Sequence, residues 1–322
     1  DQRTAAPRFF AGARRRGGCG LSKIQRLALL FSLAAVLLSA WVTQNIFEAV
    51  PHLEDEVAYV WQARLLKDLH FSIPSPPSPE NFLVPFVVDY QGLRFGKYPP
   101  GWPAALALGI LLGLRDWVNP ILAGFAVWRT VGLGERVCAP LGGWLAPGLT
   151  AVSPFFLVNA GSLLSHPLGL VCSAGFALGW LQAFSLPEDS PRRDWTLLAA
   201  LSLGVLCLSR PFTALAVALP FGVHGLYILW RGSRAARLHL AVFSLAVLGM
   251  AALVFAWQAA VTGDPLVAPC CRFQSPRMIF MGDARPMPGV GRGPRCWSQK
   301  RCILTHDRRA PGGAGPDLKT DC

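Results

Sequence analysis

Long apolar runs, separated by short basic or polar stretches, organise this chain. The first runs from Ile24 to Phe47 and is long enough to cross a bilayer. Others cover about 117–134, 137–158, 166–186, 195–209, 212–230 and 238–261. Together they predict an all-α, polytopic membrane protein with about seven transmembrane helices. Between the first and second runs the pattern changes. Residues 54–69 carry Val57, Val60, Trp61, Leu65 and Leu69 at helical spacing, which predicts an amphipathic helix. "SIPSPPSPE" reads as an extended, proline-stiffened connector, and "FVVDYQGLRFG" as a short hairpin turning at Tyr90–Gly92.

"GWPAALALGILLGL", residues 101–114, is apolar but short for a membrane crossing. Counting it as a span would also put Arg129 and Arg136 on the side away from the basic N-terminus. A helix lying in the membrane interface removes that conflict. Arg14, Arg15, Arg16, Lys23 and Arg26 then make the N-terminus cytoplasmic. The loops around Arg136, Arg192–Arg193 and Arg231–Arg237 fall on the same side. The loop 48–116 and the turns around His166 and Arg210 fall outside. A signal peptide fits the first run less well, because no small-residue cleavage site follows it.

Composition agrees: 52% of the 322 residues are hydrophobic and only 15% are charged. The net charge of +12 lies in the N-terminus, the short loops and the tail rather than in a patch interleaved with aromatics, so it sets topology and does not point to nucleic acid. The nine cysteines form no CxxC pair and no zinc-ligand spacing. The chain divides into a basic cytoplasmic N-terminus, 1–23, a transmembrane core, 24–268, and an atypical tail, 269–322. The tail is basic, rich in Gly, Pro and Cys, and without periodicity. It reads as disordered or as the product of a shifted reading frame.

Candidate chemistry gathers on the outer side. Glu54, Asp55 and Glu56 open the amphipathic helix, where carboxylates suit the helix dipole. Asp55, Tyr59 and Gln62 also share one helical stripe that can hold and deprotonate a polar substrate. In "RFGKYPPGWP", Lys97 is held before two prolines and is placed either to anchor at the headgroups or to bind a lipid phosphate. His166 begins a span, and Arg210 stands between two apolar runs before Pro211. A charge at such depth is a functional hypothesis by default, and a guanidinium suits phosphate.

"PHLEDEVAYVWQARLL", "GKYPPGWP", "SPFFLVNAGSLLSHPL" and "LSRPFTAL" occur in an order that resembles integral-membrane glycosyltransferases of the GT-C fold. The most similar types are the protein O-mannosyltransferases, the lipid A aminoarabinose transferase and the Rhizobium core galacturonosyltransferases. The resemblance covers about residues 24–268. It implies a core of about seven spans with an acidic first external loop, in the bacterial inner membrane. It also implies inverting transfer of a sugar from a polyprenyl-phosphate donor to a glycan, lipid or protein acceptor. Asp55 matches the family's catalytic aspartate and is the expected base, with Glu56 as the runner-up or as a helper that binds the acceptor or a metal. Lys97, Arg210 and His166 would hold the donor phosphate, beside Tyr59 and Gln62. A cofactor is not specified, and Asp55 and Glu56 are compatible with a divalent cation but do not require one. A non-catalytic or truncated protein of the same fold and a lipid or solute transporter are the competing readings.

Overall fold

The computed structural model of the chain describes residues 23–138, 141–184 and 193–272. The long helices are α1 (Lys23–Asn45), α4 (Val118–Cys138), α7 (His166–Phe184), α8 (Arg193–Ser209), α9 (Pro211–Arg231) and α10 (Arg234–Thr262). Shorter ones are α2 (Glu54–Lys67), α3 (Gly101–Leu111), α5 (Leu141–Val152), α6 (Pro154–Gly161) and α11 (Pro269–Arg272). The fold is mostly helical, as the periodicity predicts.

Four helices, α1, α7, α9 and α10, are long and apolar enough to cross a membrane, and the α5–α6 pair makes a fifth if it counts as one bent span. The seven apolar runs therefore all appear as helices, but not all as clear spans. The third run is broken: α5 and α6 meet at 60°. Pro154 disfavours helical geometry at Ser153, which takes φ −67° and ψ 117°, and the Ser153 hydroxyl accepts the Phe156 N–H to start α6. α8 has only 17 residues. α4 carries Arg129, Glu135 and Arg136 near its end. Of the tail, only α11 lies within the described residues.

Small residues let the long helices meet. A Cβ added at Gly179 of α7 would come 2.9 Å from the backbone of Trp195 and Ala199 on α8, so the two helices touch backbone to backbone. Beyond that seam, Phe176 and Trp180 of α7 pack with Phe221 of α9 and Phe243 of α10, the Trp180 and Phe243 rings 5.2 Å apart and nearly perpendicular.

The segment after α1 holds the irregular structure. β1 (Ile73–Pro74), β2 (Val87–Tyr90) and β3 (Leu93–Gly96) form an antiparallel sheet in the order β1-β3-β2. Tyr90 faces Leu93 across a two-residue turn in which Gln91 and Gly92 both have positive φ, the geometry that matches strand twist. The proline-rich connector is thus not merely extended, because its first residues form the third strand. Arg94 is buried: its guanidinium grips both Asp89 carboxylate oxygens at 2.8 Å and donates to the Phe82 carbonyl at 3.0 Å. Val88 and Phe95 pack on Trp257 and Val261, which fixes the sheet on the C-terminal end of α10.

Candidate functional site

α2 presents its polar stripe inward. Glu56, Tyr59 and Gln62 are buried along with Val60 and Ala63, whereas Leu69, expected on the apolar face, lies past the helix end with φ 59° and is 90% exposed. The apolar residues of α2 are not left open either, since Val57, Trp61 and Leu65 are half-buried. The helix packs across α3 and beside the turn between α6 and α7, and those surfaces offer polar partners.

That turn, residues 162–165, is held by side chains from four elements. Thr43 of α1 donates to the Gly161 carbonyl at 2.9 Å. Asn119 of α4 donates to the carbonyls of Ser162 at 2.6 Å and Leu164 at 2.9 Å. The Trp102 indole of α3 donates to the Leu163 carbonyl at 3.0 Å. Glu56 accepts the Leu163 N–H at 2.9 Å with one oxygen, while the other accepts the N–H groups of His52 at 2.7 Å and Leu53 at 3.2 Å. Buried backbone polar groups need such partners, so the non-helical turn is stable only with these anchors.

Glu56 is therefore a 2% exposed strut between the start of α2 and the α6–α7 turn. Both of its oxygens are engaged by backbone N–H groups. Among the described residues no three His, Cys, Asp or Glu side chains gather as a metal site.

Asp55, the neighbouring acid, is half-exposed and accepts the Tyr98 hydroxyl hydrogen. Among the described residues no other side chain bonds its carboxylate. Gln62 donates to the Tyr98 carbonyl at 2.9 Å, and a Cβ at Gly96 would collide with the Gln62 amide. Gln62 thus fixes the loop that carries Tyr98 rather than facing open space. The rings of Tyr59 and Tyr98 lie 4.5 Å apart. Burial pushes the Tyr98 phenol up, and the hydrogen bond to Asp55 adds to this. Burial also raises Tyr59, against an opposing hydrogen bond from Ser165. Both phenols stay protonated, so Tyr98 is a steady donor to Asp55.

Cations close the site. The Lys97 ammonium lies 3.2 Å from the centre of the Phe86 ring and 4.9 Å from that of Tyr98. Phe86 takes a left-handed φ of 57°, and its carbonyl accepts the Lys97 N–H at 3.1 Å. Burial lowers the Lys97 ammonium below the ordinary lysine value, with the charge of Asp55 pulling the other way. Arg210 is the N-cap residue of α9, with φ −142° and ψ 74° before Pro211, and its stem passes 3.3 Å from where a Gly169 side chain would begin. It acts electrostatically on both Tyr59 and His166, and Asp55 acts on Tyr59, Lys97, Tyr98 and His166.

The structure thus brings Asp55, Tyr59, Lys97, His166 and Arg210 to one end of the helices and turns Glu56 and Gln62 to structural partners. Sequence reasoning missed Tyr98 as a partner of Asp55, as well as Ser165, Trp102 and Asn119. The Tyr in "GKYPPGWP" was the one available signal, because an interfacial anchor and a buried donor look alike in sequence. No protein-family model matches the chain, and no curated protein matches it.

Proposed function

We propose that the chain is a membrane glycosyltransferase of the GT-C type. It would transfer a sugar from a polyprenyl phosphate to an acceptor hydroxyl on the outer face of the membrane. The observation that carries this reading is one carboxylate, Asp55, that accepts from a neutral phenol and acts electrostatically on Lys97 and His166, with Arg210 acting on the same His166, at one end of a bundle of apolar helices. In the proposed topology α1, α4, the bent α5–α6 pair, α7, α8, α9 and α10 make seven crossings. With a cytoplasmic N-terminus, α2, the sheet, α3 and the 162–165 turn lie outside.

The chemistry follows from the residue types. A sugar phosphate is already a good leaving group, so it needs charge stabilisation more than a proton. The acceptor needs a base. Asp55 takes the hydroxyl proton on the oxygen that Tyr98 leaves free as the acceptor oxygen bonds to the anomeric carbon. The bond from that carbon to the phosphate oxygen breaks with its electron pair on the phosphate, beside Lys97 and Arg210. Attack from the opposite face inverts the anomeric centre. Ion-pair geometry suits Arg210 to two phosphate oxygens, and Lys97 to a point charge. The clustering of these groups at one end supports surface chemistry over transport, which needs charges near mid-membrane and paired broken helices.

The test is native mass spectrometry of the purified chain beside Arg210→Ala, with a synthetic polyprenyl phosphate added to both. Lipid on the wild type and none on the folded variant supports the reading, and Asp55→Asn should then bind lipid without transferring sugar. A folded wild type that carries no such lipid overturns it.

A further inference from the structure

Beside the site lies a cleft of about 460 Å³, between the α5–α6 bend and the first turns of α7. Its origin is the break at Ser153. A straight helix would seal the space, whereas the 60° bend swings α6 away and opens it. The wall is apolar: Phe155, 80% exposed, and Leu170 both line it. The polar edge carries Thr150, Ser153, Asn159 and His166. His166 belongs to both places, because it lines the cleft and feels the charges of Asp55 and Arg210.

The cleft is amphiphilic, and it opens beside exposed apolar side chains, Leu149, Val152 and Phe155. Its charge pattern selects further. Among the described residues no Lys, Arg, Asp or Glu lines it, and the charges that reach it, those of Arg210 and Asp55, do so through His166. A phosphate head finds no permanent counter-charge here, whereas hydroxyls find hydrogen-bonding groups.

We infer that this cleft binds a neutral, hydroxyl-bearing amphiphile, its chain between Phe155 and Leu170 and its hydroxyl end at Asn159 and His166. The amphiphile is the acceptor, an assignment that rests on the transferase reading. A lipid-anchored hydroxyl would then reach Asp55 from the bilayer past His166, without meeting the cations of the donor.

Photolabelling of the full chain in lipid nanodiscs tests the binding without requiring any reaction. The probe is a long-chain fatty alcohol with a diazirine on the chain, run beside an alkyl phosphate of the same length. Peptide mass spectrometry locates the adducts. The expected result is that the alcohol labels residues 149–170 about tenfold more than the lipid-facing sides of α9 and α10, and that the phosphate does not. Leu170→Trp, which fills the cleft, and Asn159→Leu, which removes a polar edge group, should each return labelling to the lipid background. Labelling that follows lipid exposure, or equal labelling by the phosphate, overturns the inference. Asp55→Asn should leave the pattern unchanged. A chain that labels here yet transfers no sugar sinks the transferase reading and leaves the cleft standing.

Discussion

Tyr98 donates its hydroxyl hydrogen to Asp55 across 43 positions of sequence. Both residues are placed by neighbours rather than by their own contacts with the site. Gln62 holds the Tyr98 carbonyl, and Glu56 fixes the first turn of α2 on the Leu163 N–H. Asp55 and its donor therefore rest on two buried amide and carboxylate struts from the same helix.

Removing the donor should loosen the orientation of Asp55 without abolishing transfer. Tyr98→Phe keeps the ring against Tyr59 but loses one charge-assisted hydrogen bond, of roughly 1.5–3 kcal/mol. Transfer should fall by about ten- to a hundredfold, against about 10²–10⁴-fold for Asp55→Asn. Initial rates at saturating donor separate the two. Equal losses would show that the phenol and not the carboxylate limits the step.

Glu56 should behave as a structural group. Glu56→Ala leaves the N–H groups of His52, Leu53 and Leu163 without their acceptor, at roughly 1–3 kcal/mol for each that water does not reach. Glu56→Gln turns an amide NH₂ toward one set of those donors and should be nearly as costly. Thermal melts in detergent should show both variants well below wild type. A Glu56→Gln protein with an unchanged melt and no activity would instead make Glu56 a catalytic group.

Gly101 should tolerate no side chain. A Cβ there would lie 2.7 Å from the Leu208 carbonyl carbon, at the seam where α3 meets the end of α8. Gly101→Ala should destabilise by about 1–3 kcal/mol through overpacking. It should also loosen Arg210, two residues along, and weaken donor-phosphate binding. Binding and melting temperature measured on one preparation check both effects.

Lys97 sets an alkaline limb. Burial holds its ammonium below the ordinary 10.5, so phosphate binding that needs the charge should fall at lower pH than for an exposed lysine. Stability should move the other way. Between the lowered folded value and the ordinary unfolded one the unfolded chain binds more protons, so the Lys97 contribution to stability rises with pH across that window. Lys97→Arg should shift the binding limb upward. Titration of polyprenyl-phosphate binding in wild type and variant tests the sign, and an identical limb in both would remove Lys97 from the phosphate site.

The helices were legible from local sequence. Apolar runs of fixed length and proline positions set where they begin and end, and the Gln91–Gly92 pair set the hairpin turn, because these are local matters of backbone geometry and hydrocarbon burial. The sequence also determined which residue types stand at the helix ends, so Asp55, Lys97, His166 and Arg210 were legible as candidates. The bend at Ser153 lay in plain view as "SPF", yet a hydrophobicity count smooths over a single proline.

Only the tertiary structure decided which of two adjacent acids faces the site. Asp55 and Glu56 differ by one step of about 100° around α2, enough to send one toward Tyr98 and the other to the Leu163 N–H. Only the tertiary structure, likewise, made the polar stripe of α2 its buried side. Periodicity reports how apolar a face is, not whether its neighbour is lipid or a turn with unpaired amides. Here the 162–165 turn needed carboxylate, indole and amide partners, and the fold supplied them from residues 56, 102 and 119. No local pattern encodes a requirement set by so distant a segment.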